Sequence, residues 1–172
     1  MNKLLIPALL ALLITGCSST PNGPEQGGAP VENRDGVATV TAGGVDGRRL
    51  PAELTDPKSI LSKRSIYFDY DKYEVEPEYT ELVTAHAKFL AKNRQFKMLI
   101  QGNTDDRGSR EYNIALGQKR SDAVKKMLTL LGAREDQVES VSLGEEKPKN
   151  EGHDEAAWAE NRRGDMLYNG EF

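Results

Sequence analysis

The chain has 172 residues, of which 37% are hydrophobic and 29% are charged, and its formal net charge is −4 at pH 7. This length suffices for one domain with attached segments. Because non-specific affinity for nucleic acid comes from clustered Lys and Arg, the acidic balance argues against nucleic acid as a partner. The two His residues lie far apart in sequence and there is one Cys. We therefore expect neither a metal site nor a cofactor.

The N-terminus has the pattern of a secretory signal. A positive charge at Lys3 precedes an apolar run, Leu4 to Ile14, that is too short to span a bilayer as a helix. We predict a signal peptide over residues 1–16.

The segment LITGC, which ends at Cys17, resembles the bacterial lipobox. In that pattern the thiol takes a diacylglyceryl group and the signal is cut before the Cys. Since Cys17 is the only Cys and cannot pair within the chain, we predict lipidation there; the alternative is an ordinary signal peptide that contains a Cys. Ser18 stands where an inner-membrane retention signal would place Asp, which implies the outer membrane of a Gram-negative cell.

Residues 17–62 are predicted to form the lipidated Cys and a flexible tether. The segment is rich in Pro and Gly and has no aromatic residue, so it cannot bury enough apolar surface to offset the entropy of ordering it. Within it, Val37 to Ala42 is either disordered, which the flanking glycines favour, or a short strand.

From residue 63 to 172 strand and helix patterns alternate, which predicts one domain. The predicted strands and helices, in chain order, are Ile66–Asp69, Pro77–Asn93, Lys97–Gln101, Ser109–Gly132, Val138–Leu143, Asp154–Asn161 and Asp165–Tyr168. This β-α-β-α-β-α-β order favours a mixed α/β fold, an α+β sandwich with helices packed against one mixed sheet.

Two helices carry local signals. Ser109 is a candidate N-cap and Gly132 a candidate stop for the longer one. Its predicted apolar stripe consists of Ile114, Val124, Met127, Leu128 and Leu131. His86 lies on the apolar face of the preceding helix, where we expect a hydrogen-bonded core or edge residue instead of a metal ligand.

The acidic residues match neither a calcium-binding loop nor a catalytic pair. The segment Asp69 to Val75 lacks the ligand and Gly spacing of an EF-hand loop. Asp69 with Asp105 would provide the acid and base of a cell-wall glycosidase, but no nucleophile elbow or accompanying base is present. We therefore predict that the protein is not an enzyme.

Recognition of a zwitterion is a better match to the remaining charged residues. Asp105 follows the second strand, and Leu116 and Arg120 share one face of the next helix at i, i+4 spacing. If that face turns toward the end of the strand, Asp105 and Arg120 offer one negative and one positive group. The alternative is that Asp105 caps the loop while Arg120 makes a surface ion pair with Asp122 or Glu111.

Several motifs from Ser65 to Tyr168 resemble the peptidoglycan-associated lipoproteins of the OmpA C-terminal-like family. The matching segments are IYFDYD (66–71), QGNTDDRG (101–108), YNIALGQKR (112–120), SLGEEKP (142–148) and NRR (161–163). Asn103, Asp106 and Arg110 depart from the residues usual in that family.

This resemblance implies an OmpA-like domain that binds the peptidoglycan stem peptide non-covalently, centred on meso-diaminopimelate. By position, Asp105 matches the residue that engages the diaminopimelate amine, and Arg120 the one that engages its carboxylate. The rest of the implied pocket is Arg107, Leu116, Phe68 and Asp69, with Phe68 and Asp69 supplying backbone donors.

The resemblance also implies TolB, the periplasmic propeller of the Tol system, as a partner. The expected role is to tether the outer membrane to the cell wall within the Tol-Pal system, in envelope integrity and cell division. The alternative is an outer-membrane lipoprotein that mainly docks periplasmic proteins.

Overall fold

The computed structural model describes residues 50–172, whose strands form one four-stranded mixed sheet. In chain order the strands are β1 Ser65–Tyr67, β2 Met98–Asn103, β3 Val138–Gly144 and β4 Arg163–Tyr168. Their spatial order is β1-β4-β2-β3, with β2 parallel to β3 and β4 antiparallel to both β1 and β2. Because β2 and β3 are parallel, their carboxyl ends, Asn103 and Gly144, lie side by side at one edge of the sheet.

The α-helices are α1 Ala52–Thr55, α2 Thr80–Lys92, α3 Arg110–Leu130 and α4 Glu155–Asn161. Short 3-10 helices occupy Ile60–Ser62, Pro77–Tyr79 and Glu135–Gln137. Helix α3 packs across β2 and β3, and α2 packs against α3. Along β2, Met98 and Ile100 are buried while Leu99 and Gln101 are partly exposed, so one face of the sheet carries the core.

The predicted fold class is confirmed, and a helix or strand is found at every predicted place. Ser109 caps α3 by accepting a hydrogen bond from the Tyr112 N–H at 3.2 Å, and Gly132 follows the helix with a φ of 109°. The first strand is shorter than predicted, ending at Tyr67 instead of Asp69.

The predicted apolar stripe of α3 is wrong at both ends. Ile114 and Leu131 are each 38% exposed, whereas Val124 and Leu128 are fully buried. The buried face also contains polar and small side chains, namely Asn113, Gly117, Arg120 and Ser121. Because these residues contribute no apolar signal, the hydrophobic pattern of the sequence could not reveal which face α3 buries.

The ordered core extends N-terminal of the predicted boundary between tether and domain at residues 62 and 63. Leu54 is only 2% exposed and belongs to the main core, and Leu50, Ile60 and Leu61 pack against that core. The prolines and the absence of aromatic residues led to the prediction of a tether here. The segment is nevertheless ordered, and it contributes only aliphatic side chains to the core. The predictions for residues 1–16, Cys17 and Val37 to Ala42 lie outside the described residues.

His86 is a core residue, as predicted. It is completely buried; its Nε2 lies 2.9 Å from the Lys63 carbonyl, and its Nδ1 lies 2.9 Å from the Tyr168 hydroxyl. Because a carbonyl only accepts, Nε2 carries the proton and Nδ1 accepts from Tyr168. In the described part of the chain, none of the helices is both long and apolar enough to cross a membrane.

Candidate functional site

The candidate site lies at the carboxyl end of β2, where α3 faces the loop after that strand. Asp105 is 5% exposed, and its Oδ1 accepts a hydrogen bond from the Arg107 N–H at 3.2 Å. Asp105 therefore caps its own loop, as the alternative interpretation expected. The cap holds the carboxylate in place.

Arg120 is the largest completely buried side chain among the described residues, and it reaches across from α3. Its three nitrogens donate to three carbonyls: Nε to Lys72 at 2.8 Å, Nη1 to Asn103 at 2.9 Å and Nη2 to Asp69 at 3.2 Å. A guanidinium has five N–H donors, so these three bonds leave two for a ligand. Burial lowers the pKa of Arg120 to about 10, and the group remains cationic at neutral pH.

The ion pairs of Arg120 predicted by the alternative interpretation are absent from residues 50–172. Asp122 instead accepts hydrogen bonds from Gln118 at 2.9 Å and Ser140 at 2.6 Å. Arg120 connects the end of β2 with the loop after β1 through main-chain carbonyls, an arrangement that residue spacing could not predict.

The carboxylate of Asp105 pairs with two other arginines. Its Oδ2 lies 2.7 Å from Nη2 of Arg107 and 3.4 Å from Nη1 of Arg162. Arg162 is 6% exposed, donates to the Phe68 carbonyl at 3.0 Å and pairs with Glu155 at 2.8 Å. The role of Arg162 was not predicted from the sequence, although the NRR segment that contains it belongs to the family motifs.

The guanidinium of Arg107 is stacked between two aromatic rings. It lies 4.2 Å from the ring centroid of Tyr70 and 4.1 Å from that of Trp158. Trp158 is itself held by a 2.7 Å hydrogen bond from its indole N–H to Asp106. This stack positions Arg107 against Asp105, and its side chain keeps 29% exposure.

These side chains surround a cleft of about 100 Å³, which we call the zwitterion cleft. It is lined by Tyr70, Asp71, Asp105, Arg107, Gly108, Tyr112, Asn113, Leu116 and Arg120. Four predicted site residues, Asp105, Arg107, Leu116 and Arg120, are therefore brought together here.

Phe68 and Asp69 lie behind Arg120. The guanidinium of Arg120 is 5.2 Å from the Phe68 ring centroid, and it donates to the Asp69 carbonyl. The Phe68 N–H is already used, since it donates to the Arg162 carbonyl at 2.9 Å. The predicted backbone donor at Phe68 is thus engaged within the protein.

The cleft combines a buried cation that has spare donors with a buried carboxylate. Charge-assisted hydrogen bonds contribute more than neutral ones because one partner is ionised, and burial strengthens them further. The described residues hold no group of three acidic, His or Cys side chains arranged for a metal ion.

The OmpA family model matches residues 67–162, which include β2, α3 and every residue of the zwitterion cleft. The chain belongs to the OmpA family. Its curated relatives include the peptidoglycan-associated lipoprotein of Pasteurella multocida, 52% identical over 60% of this chain and 69% of that protein. The peptidoglycan-associated lipoprotein of Pseudomonas putida is 40% identical over 91% of this chain and 90% of the relative.

Solved structures show the same family fold. The crystal structure of the peptidoglycan-associated lipoprotein from Burkholderia pseudomallei is 56% identical, with a TM-score of 0.67, and the match covers 67% of this chain and 98% of that one. The C-terminal domain of Helicobacter pylori MotB is only 18% identical, with a TM-score of 0.57, and shares the fold alone.

Proposed function

We propose that this chain is an outer-membrane lipoprotein that binds the peptidoglycan stem peptide without covalent attachment. In this proposal Asp105 accepts from the ammonium at the free end of meso-diaminopimelate, and Arg120 donates to the adjacent carboxylate. The names of two relatives support this function: the peptidoglycan-associated lipoprotein of Pseudomonas putida matches 91% of this chain, and that of Burkholderia pseudomallei matches 67%.

The observation that carries the proposal is the burial and the hydrogen bonding of the Arg120 side chain. A completely buried guanidinium that lines a cleft and keeps two N–H donors beyond its three carbonyl bonds is prepared for a carboxylate. Since the carbonyls already fix its orientation, the side chain loses little entropy on binding.

The site also offers a place for the ligand's ammonium. Asp105 lies in the same cleft, and its ion-pair partner Arg107 is more exposed than Arg162. An ammonium that replaces Arg107 at the carboxylate leaves the buried pair between Asp105 and Arg162 in place. On binding, Asp105 therefore exchanges its more exposed partner, Arg107, for the ammonium of the ligand.

Lipidation at Cys17 would hold the chain in the outer membrane, and the tether would let the domain reach the wall. Anchoring raises the effective concentration of the domain near the wall, so each domain need bind only weakly. Binding to TolB and a role in the Tol-Pal system belong to the same proposal. No catalytic step is part of it.

The test is a titration with two stem peptides that differ at one residue, diaminopimelate or Lys, using the chain from residue 17 with Cys17→Ala. We expect the diaminopimelate peptide to bind at least about ten-fold more tightly, because the Lys peptide lacks the carboxylate for Arg120. Equal affinities would contradict the role of Arg120.

Asp105→Asn removes the charge and keeps the side-chain size. We expect it to weaken binding of the diaminopimelate peptide by about ten- to hundred-fold, because one charge-assisted hydrogen bond contributes a free energy of that size. Asp122→Asn, an exposed change two residues from Arg120, is the matched control and should leave the affinity unchanged. If circular dichroism shows that Asp105→Asn is folded, an unchanged affinity would contradict the contact between Asp105 and the ligand's ammonium.

A further inference from the structure

Three exposed basic side chains lie at the end of the sheet opposite the zwitterion cleft. Lys92 ends α2, Arg94 lies in the turn that follows, and Lys97 directly precedes β2. Strand β2 runs from this turn toward the cleft, and its length separates the two ends by about 17 Å. We call the surface formed by these three residues the basic end.

The turn that carries the basic end is held by hydrogen bonds from two neighbouring segments. On one side, the Gln137 side-chain amide donates to the Phe96 carbonyl at 3.0 Å. On the other side, Asn169 accepts from the Lys97 N–H at 2.9 Å and donates its own N–H to the Lys97 carbonyl at 3.0 Å. The segments that flank the basic end are therefore residues 130–137 and 169–172.

The acidic side chains of the two flanking segments are already paired with cations. The pairs are Glu135 with Lys125 at 3.0 Å, Asp136 with Arg134 at 2.6 Å, and Glu171 with Arg64 at 3.4 Å. Within residues 50–172, no carboxylate forms an ion pair with a side chain of the basic end. Glu139, opposite Leu99 in the sheet, offsets one of the three charges. The basic end is thus locally positive although the whole chain has a net charge of −4.

Exposed apolar side chains accompany these cations in the flanking segments. Leu130, the last residue of α3, is 77% exposed, and Phe172 is 60% exposed. A protein surface that lies on a bilayer places its cations among the lipid phosphates and its apolar side chains at the boundary between headgroups and acyl chains. The basic end and its flanking segments offer both kinds of group.

The described chain also begins at this end of the domain. Arg64, which directly precedes β1, donates to the Leu54 carbonyl at 3.0 Å and lies 3.4 Å from Glu171. The chain therefore enters the domain at the end opposite the zwitterion cleft. A domain that is attached to a membrane through this end can present its basic residues to the lipid and its cleft to the wall.

We propose that the basic end binds the anionic phospholipid headgroups of the membrane that carries the lipid anchor. Lys92, Arg94 and Lys97 contact the phosphates, and Leu130 and Phe172 contact the upper part of the acyl layer. Each Lys or Arg near an anionic lipid surface strengthens binding by about five-fold, so the contact is reversible. The choice of a membrane rests on the lipid anchor of the proposed function, whereas the zwitterion cleft takes no part in it.

The test is co-sedimentation of the non-lipidated chain, residue 17 onward with Cys17→Ala, with two kinds of vesicle. One kind is pure phosphatidylcholine, and the other is a mixture of phosphatidylethanolamine and anionic phosphatidylglycerol. At about 0.15 M salt we expect at least about ten-fold stronger binding to the anionic vesicles. The preference should disappear at about 1 M salt, where the Debye length falls to about 3 Å.

Two double variants with the same change in net charge assign the binding to the basic end. Lys92→Gln with Arg94→Gln should weaken binding to the anionic vesicles by at least about ten-fold. The matched control is Lys119→Gln with Lys147→Gln, two exposed residues nearer the zwitterion cleft. It should stay within about two-fold of the wild type, because salt screens charges that are far from the lipid. Circular dichroism verifies that each variant is folded.

The outcomes separate this inference from the proposed function. Equal binding to the two kinds of vesicle, equal losses in the two double variants, or no binding at all would each overturn the inference. In these cases, binding of the diaminopimelate peptide by the same protein would leave the proposed function intact. Failure to bind that peptide would contradict the proposed function and would leave the vesicle result unaffected.

Discussion

At the level of single residues, burial decides what the charged side chains do. Arg120 and Arg162 are 0% and 6% exposed, and both donate to main-chain carbonyls as well as lying at the site. They hold the loops after β1 and β2 in place, in addition to any contact with a ligand. For this reason Arg120→Ala would disturb folding together with binding, and Asp105→Asn is the cleaner probe of the site.

His86 makes the stability of the fold depend on pH. Burial lowers the pKa of His86 from 6.5 to about 4 in the folded state. Between these values the unfolded chain binds a proton that the folded chain does not, so stability is lost as the pH falls from 6.5 toward 4. The loss from this residue is roughly 3 kcal/mol over the full window.

The measurement is the free energy of unfolding in urea at pH 7 and at pH 4.5. We expect His86→Gln to be less stable at pH 7 and to lose less stability on acidification than the wild type. Lys126→Gln, an exposed change on α3, is the control and should keep the wild-type pH dependence. An unchanged pH dependence in His86→Gln would show that other groups cause the acid sensitivity.

At the level of elements, the site depends on how closely α3 approaches β2. A Cβ added at Gly117 would lie 2.4 Å from Oγ of Ser142 and 2.8 Å from the carbonyl oxygen of Gly102. A Cβ at Gly102 would lie only 1.8 Å from the Gly117 carbonyl oxygen. This glycine pair lets the helix lie directly on the strand, which brings Arg120 within reach of the Asn103 carbonyl.

Gly117→Ala should therefore destabilise the protein although Ala favours helix formation. The clash moves α3 away from β2 at a cost of about 1–3 kcal/mol, which exceeds the gain of about 1 kcal/mol from helix propensity. The affinity for the diaminopimelate peptide should fall with the stability, because Arg120 moves with α3. Lys126→Ala, an exposed change on the same helix, should stay within about 0.5 kcal/mol of the wild type. If Gly117→Ala were as stable as the wild type or more stable, the packing of α3 on β2 would have room for the added methyl group.

At the level of the whole molecule, the folded domain includes residues that the composition assigned to the tether. Leu54 fills the main core from the segment before β1, and Arg64 donates to the carbonyls of Leu54, at 3.0 Å, and Leu61. These contacts fasten the beginning of the domain to its core. The core therefore begins at least as early as Leu54.

Leu54→Ala tests this boundary. Removing a buried Leu side chain typically costs about 2–5 kcal/mol, and we expect a loss in this range in urea unfolding. Leu130→Ala, at a side chain that is 77% exposed, should change the free energy of unfolding by less than about 0.5 kcal/mol. A loss at Leu54 no larger than the one at Leu130 would restore the predicted boundary at residue 63.

The amino-acid sequence was enough to predict the order of strands and helices, and its resemblance to the OmpA C-terminal-like family predicted that Asp105, Arg107, Leu116 and Arg120 share one site. These features follow from local patterns: alternation in strands, the Ser109 cap, the Gly132 stop and short motifs at the ends of elements. Each depends on residues close together in the chain, so a single sequence contains the information.

The pairing partners of the charged side chains become visible only in the three-dimensional structure. The pairing of Asp105 with Arg162, the three carbonyls at Arg120, the stack of Arg107 between Tyr70 and Trp158, and the core position of Leu54 all join segments that are distant in sequence. Hydrogen bonds and packing act over a few ångströms of space, whatever the separation along the chain. The fold must bring these groups together before their chemistry is defined.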